Sequence, residues 1–393
     1  MNRKLPYDQS LILIVLALLG IGLVIVFSAS SVVSKELYGP STAIFFRQLA
    51  SVTIGLLLFF VAMRTDYHIL GRKPVLYGLL GISVILLGWA LLSPGINGVH
   101  RWILLGPFRF QPSEAAKLTA IVLTAYFLAR KGGQVKEIDR DMLTYLAVLL
   151  AMVIMILAAP DFGTSTSLAV TAALMLFLAG FKFRYYLAGA LLACPIFYFL
   201  IYLVPYRRQR ILAFIDPSAD PQGSGYQIIQ SLVAVGSGGI TGKGLAQGTQ
   251  KLFFLPEPHT DFIYAVVGEE LGLLGCTLIL VLFVLFLWRG IRVSLRADTV
   301  FGTFLGLGIV MMIVFQALFN ISVVLSLVPT KGIPLPFVSV GGSSILIMLV
   351  SVGVLLNISR HTRGVVSPSA TATVAAWHGL AKQSEPSRNG KST

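Results

Sequence analysis

The sequence LPEPHTDFIYAVVGEELG at positions 255–272 decides how the chain must fold. It passes from a proline-stiffened polar segment through Asp261 into an apolar helical pattern that continues to Trp288. At about 1.5 Å per residue such a helix measures about 42 Å, which exceeds the roughly 30 Å hydrocarbon core of a bilayer. We therefore expect its first turns to lie above the hydrocarbon or at its rim, with Asp261 at the membrane surface.

The composition is that of a membrane protein. Of 393 residues, 56% are hydrophobic and 12% are charged, whereas soluble domains carry about 25% charged residues. The net charge of +14 is explained by membrane topology and anionic headgroups, so no nucleic-acid partner is expected. Cys194 and Cys276 lie in apolar runs, which argues against a disulfide framework or a zinc site built on cysteine.

Ten apolar segments approach the roughly 17–25 residues that a membrane span needs. All should be helices, because only helices and closed barrels satisfy their backbone in lipid and no barrel-like alternation is visible. The first segment is longer than the hydrophobic region of a signal peptide, about 7–15 residues, so we expect an uncleaved helix. The predicted spans are 11–28, 46–63, 75–92, 115–130, 142–159, 164–180, 185–204, 263–288, 301–328 and 344–359.

The predicted fold class is therefore all-α: a polytopic membrane protein with about ten transmembrane helices and one long extracytoplasmic loop at 205–262. Placing the N-terminus in the cytoplasm puts basic residues such as Arg64 and Arg289 in short inside loops, as the positive-inside rule requires. Both termini are then cytoplasmic. We predict one transmembrane domain over 1–363 and a disordered tail over 364–393, because the tail has little apolar content.

Asp261 is the candidate catalytic residue. Its carboxylate follows the rigid segment Pro256-Glu257-Pro258 at the predicted membrane surface, a position that suits a general base. We expect nearby basic residues to keep it ionised. A purely structural alternative is that Thr260 or Asp261 caps the N-terminus of the following helix.

The outer loops contain basic residues that together can neutralise a diphosphate leaving group, although each by itself is more simply explained as a headgroup contact. They are Arg101, Lys117, Arg207, Arg208, Arg210, Lys243, Lys251 and Lys331. His259 is a candidate base or metal ligand, with a structural role as the simpler alternative. Glu269 and Glu270 are costly inside a membrane, so each should face either a cavity or a cationic partner.

Three further residues are candidates for positioning a sugar or a cation. Glu114 and Lys117 are three positions apart at a predicted helix start and therefore share one face, while Asp161 lies in a tight turn between two spans. Ser113 or Gln111 can cap the helix that carries Glu114.

The glycines of the segment 236–248 do not form a phosphate loop. That motif requires a glycine where Ser237 stands and a serine or threonine where Gly244 stands. We expect these glycines to permit close helix contact or a re-entrant turn.

Seven motifs, in order over roughly residues 10–360, together resemble the shape, elongation, division and sporulation (SEDS) family. Within it, the combination of GYQ and GEELG is more similar to the division member than to the elongation member. Ala159 and Val340 depart from residues usual in the family. The motifs are NGxxRW at 97–102, QPSE at 111–114, PDxGT at 160–164, GYQ at 225–227, LPExHTDF at 255–262, GEELG at 268–272 and PTKG at 329–332.

The resemblance implies a peptidoglycan glycosyltransferase that polymerises lipid II outside the bacterial cytoplasmic membrane, at the division septum, with Asp261 as the family's essential loop aspartate. The implied partners are lipid II, a class B penicillin-binding protein that crosslinks the product, other divisome membrane proteins and membrane lipid. A divalent cation, Mg²⁺ or Mn²⁺, is expected beside the diphosphate, and no organic cofactor. A lipid II flippase, an elongation polymerase and a scaffold that only recruits the partner remain alternatives.

Overall fold

The structure is a computed structural model, and it describes residues 7–361 apart from 96–98, 107, 136, 204 and 253. The predicted tail 364–393 and the motif residues Asn97 and Gly98 therefore lie outside the described residues. The helices are α1 (Gln9–Tyr38), α2 (Ala43–Arg64), α3 (Lys73–Leu92), α4 (Pro112–Arg130), α5 (Arg140–Ala158), α6 (Phe162–Leu178), α7 (Phe183–Tyr202), α8 (Pro205–Ile215), α9 (Tyr226–Ser237), α10 (Ile263–Leu295), α11 (Val300–Val324) and α12 (Gly342–Arg360).

The polytopic membrane architecture is confirmed. Within the described ranges, seven helices are long and apolar enough to cross a membrane: α1 as far as Ser31, α2, α3, α5, α10, α11 and α12. The predicted spans 115–130, 164–180 and 185–204 are present as α4, α6 and α7. They are not among the seven because α4 carries the charged residues Glu114 and Lys117 and α6 has 17 residues, while several side chains of α7 lie outside the described residues. The predicted number of ten spans is thus not established.

The core of the bundle is built on α11 and α12. Almost every side of α11 is buried, where it packs against α4, α6 and α10, and α12 packs along the length of α2. Helix α12 begins at Gly342, at the end of the bundle where the predicted outer-loop motifs lie.

The sequence predicted a single long loop over 205–262, but the structure shows helices within this segment. It contains α8, a 3₁₀ turn at Pro217–Ala219 and α9. The inner face of α9 buries Ile228, Ser231 and Ala234, and the Ser231 hydroxyl donates to the Val324 carbonyl at 2.8 Å. Apolar residues at helical spacing therefore anchor this segment onto the bundle.

A second unpredicted element is a small hairpin. Strand β1 (Ile103–Leu105) pairs antiparallel with β2 (Phe108–Phe110), and Ile103 lies opposite Phe110. The pair Gly106-Pro107 between two short apolar runs is a turn signal. The hairpin holds Arg109 near the end of the bundle where α4 and α12 begin.

Helix α10 is not the continuous helix that the apolar pattern predicts. At Gly272 the backbone adopts φ +65° and ψ −160°, which divides the 33-residue element into two helices. A Cβ at this position would lie 2.4 Å from the backbone nitrogen of Gly242 and 2.6 Å from the Ile240 carbonyl oxygen. Glycine is required here because it alone accepts this φ without a side chain that would clash.

The glycine-rich segment occupies the break in α10. The amides of Lys243 and Gly244 donate to the carbonyls of Glu269 and Glu270, each at 3.0 Å. On the other side of the break, the amides of Leu273 and Leu274 donate to the carbonyls of Gly239 and Ile240 at 2.9 and 3.1 Å. The segment thus supplies the backbone partners that a broken helix inside a membrane protein otherwise lacks.

Candidate active site

A cavity of about 430 Å³ lies where the outer-loop motifs meet. Its walls come from the hairpin region, the first turns of α4, α6 and α12, the segment before α10 and the loop before α12. The polar residues that line it are Arg101, Arg109, Gln111, Glu114, Lys117, Thr164, Ser167, Glu257, His259, Thr260, Asp261, Gln316, Ser343 and Ser344. The cavity therefore unites Arg101, Glu114, Lys117, His259 and Asp261 of the predicted site.

The main chain around Asp261 is held from several sides. The Asn320 amide donates to the Asp261 carbonyl at 2.8 Å, and the Ser339 hydroxyl donates to the Thr260 carbonyl at 2.6 Å. The Val340 amide donates to the His259 carbonyl at 3.0 Å. These contacts fix the main chain that carries Asp261 at the cavity wall, as the pre-organisation of a catalytic group requires.

The loop before α12 also restricts the position of the Asp261 carboxylate. A Cβ on Gly332 would lie 2.6 Å from Oδ2 of Asp261, so any other residue at position 332 would displace the carboxylate from its present position. The capping alternative for Thr260 or Asp261 is wrong. Helix α10 begins at Ile263, and its N-cap residue Phe262 makes no side-chain capping bond within the described chain.

The proton affinity of Asp261 is higher than the sequence suggested. Burial and, to a smaller extent, the charge of Glu257 raise the pKa of Asp261 to about 6, although Arg101 and Arg210 oppose the shift. The expected cationic residues are present, but their lowering effect on the pKa of Asp261 is smaller than the raising effect of burial. A carboxylate with a pKa near 6 is mostly ionised at neutral pH and is a stronger proton acceptor than an ordinary aspartate.

His259 is half-buried beside Asp261. Burial lowers the pKa of His259, although the Glu257 charge opposes this, and Nε2 lies 3.9 Å from the Glu257 carboxylate. The imidazole is thus mainly neutral at pH 7. Its Nδ1 is buried without a hydrogen-bond partner among the described residues, which leaves it available to a bound molecule.

Glu114 and Lys117 form a buried pair at one wall of the cavity. Their side chains are 3.0 Å apart, as their shared helix face predicts. The Lys117 ammonium also donates to Oε1 of Gln316 at 2.9 Å, and the Gln316 amide donates to the Pro334 carbonyl at 3.1 Å. Since an ammonium has three donors, one of them is left for a ligand.

Asp161 supports the site instead of lining the cavity. Its Oδ2 accepts bonds from the Gln111 amide at 2.7 Å and the Ser113 hydroxyl at 2.8 Å, and Oδ1 accepts from the Thr164 amide as the N-cap of α6. Gln111 occupies the predicted N-cap position of α4 but makes no side-chain capping bond, because Asp161 holds the side chains of both Gln111 and Ser113. This carboxylate joins the first turns of α4 and α6.

Two arginines supply positive charge to the cavity. Arg101 is half-buried, with its guanidinium 5.8 Å from the Trp102 ring centroid, and its Nε is buried without a partner in the described structure. Arg109 is exposed on β2 and was missed from the sequence. The Gly106-Pro107 turn signal would have placed it on a hairpin beside Arg101.

Five predicted cationic residues, including Lys251, do not line this cavity in the described structure. Lys331 lies 5.2 Å from the Phe162 ring centroid, Arg210 donates to the Thr330 carbonyl at 3.0 Å, and Arg208 is exposed 5.6 Å from the Tyr202 ring centroid. Lys243 is paired with the buried Glu269 at 2.8 Å. The Arg207 side chain falls outside the described residues.

Glu269 and Glu270 were expected to face either a cavity or a cationic partner, and the structure shows that both have a cationic partner. Glu269 also accepts a bond from the Thr249 amide at 2.8 Å. Glu270 accepts from the Lys251 ammonium and the Ser28 hydroxyl, both at 2.6 Å. Lys243 and Lys251 are therefore engaged in holding the glycine-rich segment and its flank onto the break in α10, which explains why neither reaches the cavity.

The chain resembles known proteins along nearly its whole length. The cell cycle protein family FTSW_RODA_SPOVE matches residues 9–364. A probable peptidoglycan glycosyltransferase FtsW of Geobacter sulfurreducens is 43% identical over 91% of this chain and 96% of its own length. Stage V sporulation protein E of Bacillus subtilis is 42% identical over 92% of this chain and 99% of its own.

Solved structures agree with the sequence relatives. A chain of a peptidoglycan synthase complex that coordinates polymerization and crosslinking superposes with a TM-score of 0.73 at 29% identity, over 91% of this chain and 98% of that one. The rod shape determining protein RodA of Thermus thermophilus superposes with a TM-score of 0.67 at 26% identity, over 92% and 99%. The resemblance inferred from the motifs is confirmed, and this multi-pass membrane protein belongs to the FTSW_RODA_SPOVE family of cell cycle proteins.

Proposed function

We propose that this protein is a peptidoglycan glycosyltransferase that polymerises lipid II into glycan strands during cell division. The observation that carries the proposal is the position of Asp261, whose carboxyl lines a polar cavity with a pKa raised to about 6. The name of the Geobacter relative supports the reaction and the division role. A fixed base facing a cavity that contains arginine and lysine suits the transfer of a sugar from a diphosphate.

Asp261 takes the proton from the 4-hydroxyl of the acceptor sugar. The oxygen forms a bond to the anomeric carbon of a second lipid-linked sugar, and the bond from that carbon to the diphosphate oxygen breaks with inversion. Undecaprenyl diphosphate leaves with the bonding electrons, and the proton stays on Asp261 until water removes it. A single inversion needs no covalent sugar–enzyme intermediate.

Arg101, Arg109 and Lys117 are the cationic side chains that line the cavity, and we assign them to the diphosphate. Charge-assisted hydrogen bonds from such donors gain strength where negative charge develops. Glu114 and His259 would orient the sugars through their remaining hydrogen-bonding capacity. Arg210 contributes through its field at Asp261, whereas Arg208 and Lys243 are not part of this assignment.

A divalent cation, Mg²⁺ or Mn²⁺, belongs to the proposal as a counter-ion of the diphosphate. When bound, it would neutralise the charge that develops on the leaving group. Mg²⁺ sites usually combine one or two carboxylates with substrate phosphates, and Glu257 is the cavity-lining carboxylate that fits. Glu114 is paired with Lys117, and Asp261 must remain able to accept a proton.

The partner assignment follows from the solved relative in a synthase complex of polymerization and crosslinking. We assign a class B penicillin-binding protein as the crosslinking partner, together with other divisome membrane proteins at the septum of the cytoplasmic membrane. Both termini are assigned to the cytoplasm from the positive-inside rule. The cavity then faces outwards, where lipid II is consumed.

A lipid II flippase is less well supported. A transporter needs polar groups along a path from one side of the membrane to the other. Helix α11 reaches the cavity through Gln316, and it carries only apolar residues and glycine from Phe304 to Phe315. The polar residues of the cavity are thus confined to one end of this central helix.

Reconstitution in vesicles separates the two functions. Purified protein and its penicillin-binding partner, supplied with lipid II, should form glycan polymer and release undecaprenyl diphosphate, without speeding transbilayer movement of lipid II above that in protein-free vesicles. Movement without polymer would support the flippase. Loss of polymer on omitting this chain, while the partner is kept, assigns the activity to this protein.

The pKa of Asp261 predicts how polymerisation depends on pH. Because the base must be deprotonated, kcat/KM for lipid II should fall about tenfold per pH unit below pH 6 and level off above pH 7. The measurement is a pH profile of initial rates in vesicles. A profile that stays flat from pH 8 to pH 5 would contradict the assignment of Asp261 as the base.

Thermal unfolding provides the control for this profile. The folded pKa of Asp261 is raised above its ordinary value of 3.8, so the folded protein holds this proton between about pH 4 and 6 while the unfolded chain has lost it. This group thus makes the protein less stable as pH rises through that window. Asp261→Asn lacks this titrating group and therefore escapes the loss. The difference in Tm between Asp261→Asn and wild type should increase in favour of Asp261→Asn from pH 4 to pH 7.

A further inference from the structure

The end of the bundle opposite the cavity carries a second cluster of titratable side chains. Helix α12 begins at the cavity and ends at Arg360, so its 19 residues separate the two ends by about 28 Å at 1.5 Å per residue. At the far end, Asp66, His68 and His361 each offer one ligand atom, and these atoms all lie within 4.8 Å of one another. The glycosyltransfer mechanism uses none of them.

His361 is oriented as metal-binding histidines usually are. Its Nδ1 lies 3.0 Å from the Asn357 carbonyl oxygen, so Nδ1 carries the proton and Nε2 keeps its lone pair. A hydrogen bond from one ring nitrogen to a backbone carbonyl is the usual means of fixing the tautomer of a ligand histidine. The main chain is also held, because the Asp298 amide donates to the His361 carbonyl at 3.1 Å.

His68 lies between two carboxylates. Its Nδ1 is 2.6 Å from Oδ1 of Asp66, and its Nε2 is 3.5 Å from Oδ2 of Asp298. The ring is stacked on Tyr67 with centroids 4.1 Å apart and meets the His361 ring edge-on at 5.5 Å. The cluster thus combines two imidazoles with two carboxylates.

The backbone that presents these groups is rigid. The Tyr67 amide donates to Oδ1 of Asn357 at 3.0 Å, and the Asn357 amide donates to the Met63 carbonyl at 2.9 Å. The Tyr67 hydroxyl is bonded to Asp298, and Tyr67 itself is 2% exposed. Three separate parts of the chain therefore meet here in one fixed arrangement before any ion binds.

We propose that Asp66, His68 and His361 bind a transition-metal dication, with Zn²⁺ the best match. Two imidazole nitrogens and one carboxylate oxygen suit Zn²⁺, whereas Mg²⁺ and Ca²⁺ require oxygen ligands. Around a tetrahedral Zn²⁺ with bonds of about 2.0–2.1 Å, ligand atoms lie about 3.4 Å apart. The ligand atoms now lie within 4.8 Å of one another, so side-chain rotations that open the contact between His68 and Asp66 would bring them to this spacing, with water completing the coordination.

Such an ion would fasten the turn after α2 to the end of α12. It would be a structural metal site that crosslinks these two elements. The site lies at the end of the bundle remote from the reaction, beside the last described residues. This site is independent of the cation proposed beside the diphosphate, because it contains its own three protein ligands and no substrate. A simple His–Asp ion-pair cluster is the competing interpretation, and it predicts no metal affinity.

Cobalt substitution tests the proposal directly. The purified full chain, stripped with chelator, is titrated with Co²⁺, and the visible absorption of tetrahedral Co²⁺ is recorded. We expect saturation at about one equivalent, loss of the bands on adding Zn²⁺, and a Tm that rises by several degrees with Zn²⁺ because the ion binds only the folded protein. Absence of tetrahedral bands and of a Zn²⁺ shift in the wild type would overturn the proposal.

Matched variants locate the site. His68→Ala/His361→Ala should lose both the bands and the Zn²⁺ shift, whereas His100→Ala, a histidine bonded to the Ser93 carbonyl, should keep them. If the double variant does not fold, Asp66→Asn serves, since it retains the ring stack and should weaken Co²⁺ binding at least tenfold. Equal binding by Asp66→Asn, or by a folded double variant, would assign the metal elsewhere and refute the site.

Discussion

Replacing Asp261 with alanine should abolish glycan polymerisation. The loss of a general base costs about 10²–10⁴-fold in rate, which places the variant below detection in a polymer assay. Asp261→Asn should lose as much, because it keeps the size of the side chain and removes only the proton acceptor. Both variants should insert into the membrane and bind the partner, since the backbone at Asp261 is held by Asn320 and its neighbours.

The matched control for this loss is Asp216→Asn. Asp216 is an exposed acid in the same segment, 205–262, where it accepts bonds from the Ser218 amide and hydroxyl, and it does not line the cavity. It should polymerise lipid II at close to the wild-type rate. Equal loss in both variants would trace the effect to a general disturbance of the segment, and full activity of Asp261→Asn would remove Asp261 from the mechanism.

Among the substitutions proposed for this protein, Lys251→Met should cause the largest loss of folding stability. Lys251 is 4% exposed and Glu270 is fully buried, so the substitution leaves a carboxylate without its cation at the break in α10. Breaking a buried pair by removing one partner costs about 3–5 kcal/mol. We expect a large fall in Tm in detergent and little protein in the membrane fraction.

Two variants show whether the buried charge is responsible. Lys251→Met/Glu270→Gln should recover much of the lost Tm, because it removes the unpaired charge as well. Lys182→Met breaks an ion pair to Glu137, whose side chain is 77% exposed, and should change the Tm little, as surface pairs usually do. A similar small effect at Lys251 and Lys182 would show that the Lys251–Glu270 pair does not hold the segment.

The sequence predicted the reaction better than the architecture around it. Asp261 was identified from its position between a rigid polar segment and a span, and Glu114 and Lys117 from their helical spacing. The break at Gly272 was not predicted, because the apolar helical pattern resumes directly after GEELG at 268–272. What creates the break is contact with the glycine-rich segment about thirty positions earlier, and periodicity within one helix carries no information about such a contact.

The roles of the cationic residues also depend on contacts between distant parts of the chain, which the sequence pattern does not reveal. Lysines and arginines of the outer loops look alike in sequence, yet Arg101 faces the cavity whereas Lys243 is paired with Glu269. The difference depends on which buried carboxylate each can reach after folding. Burial also explains the proton affinity of Asp261, because desolvation raises its pKa to about 6 even though the expected basic residues lie nearby and the group stays mostly ionised at pH 7.

Single-turnover transfer on bound substrate is the measurement closest to the central claim. Wild type and Asp261→Asn, each in complex with the partner, are loaded with lipid II, and binding and formation of the first glycosidic bond are followed in the same sample. We predict lipid II affinity within about threefold of wild type, with bond formation reduced at least about 10²-fold. Bond formation at the wild-type rate, or a loss explained entirely by weaker binding, would contradict a proton-accepting role for Asp261.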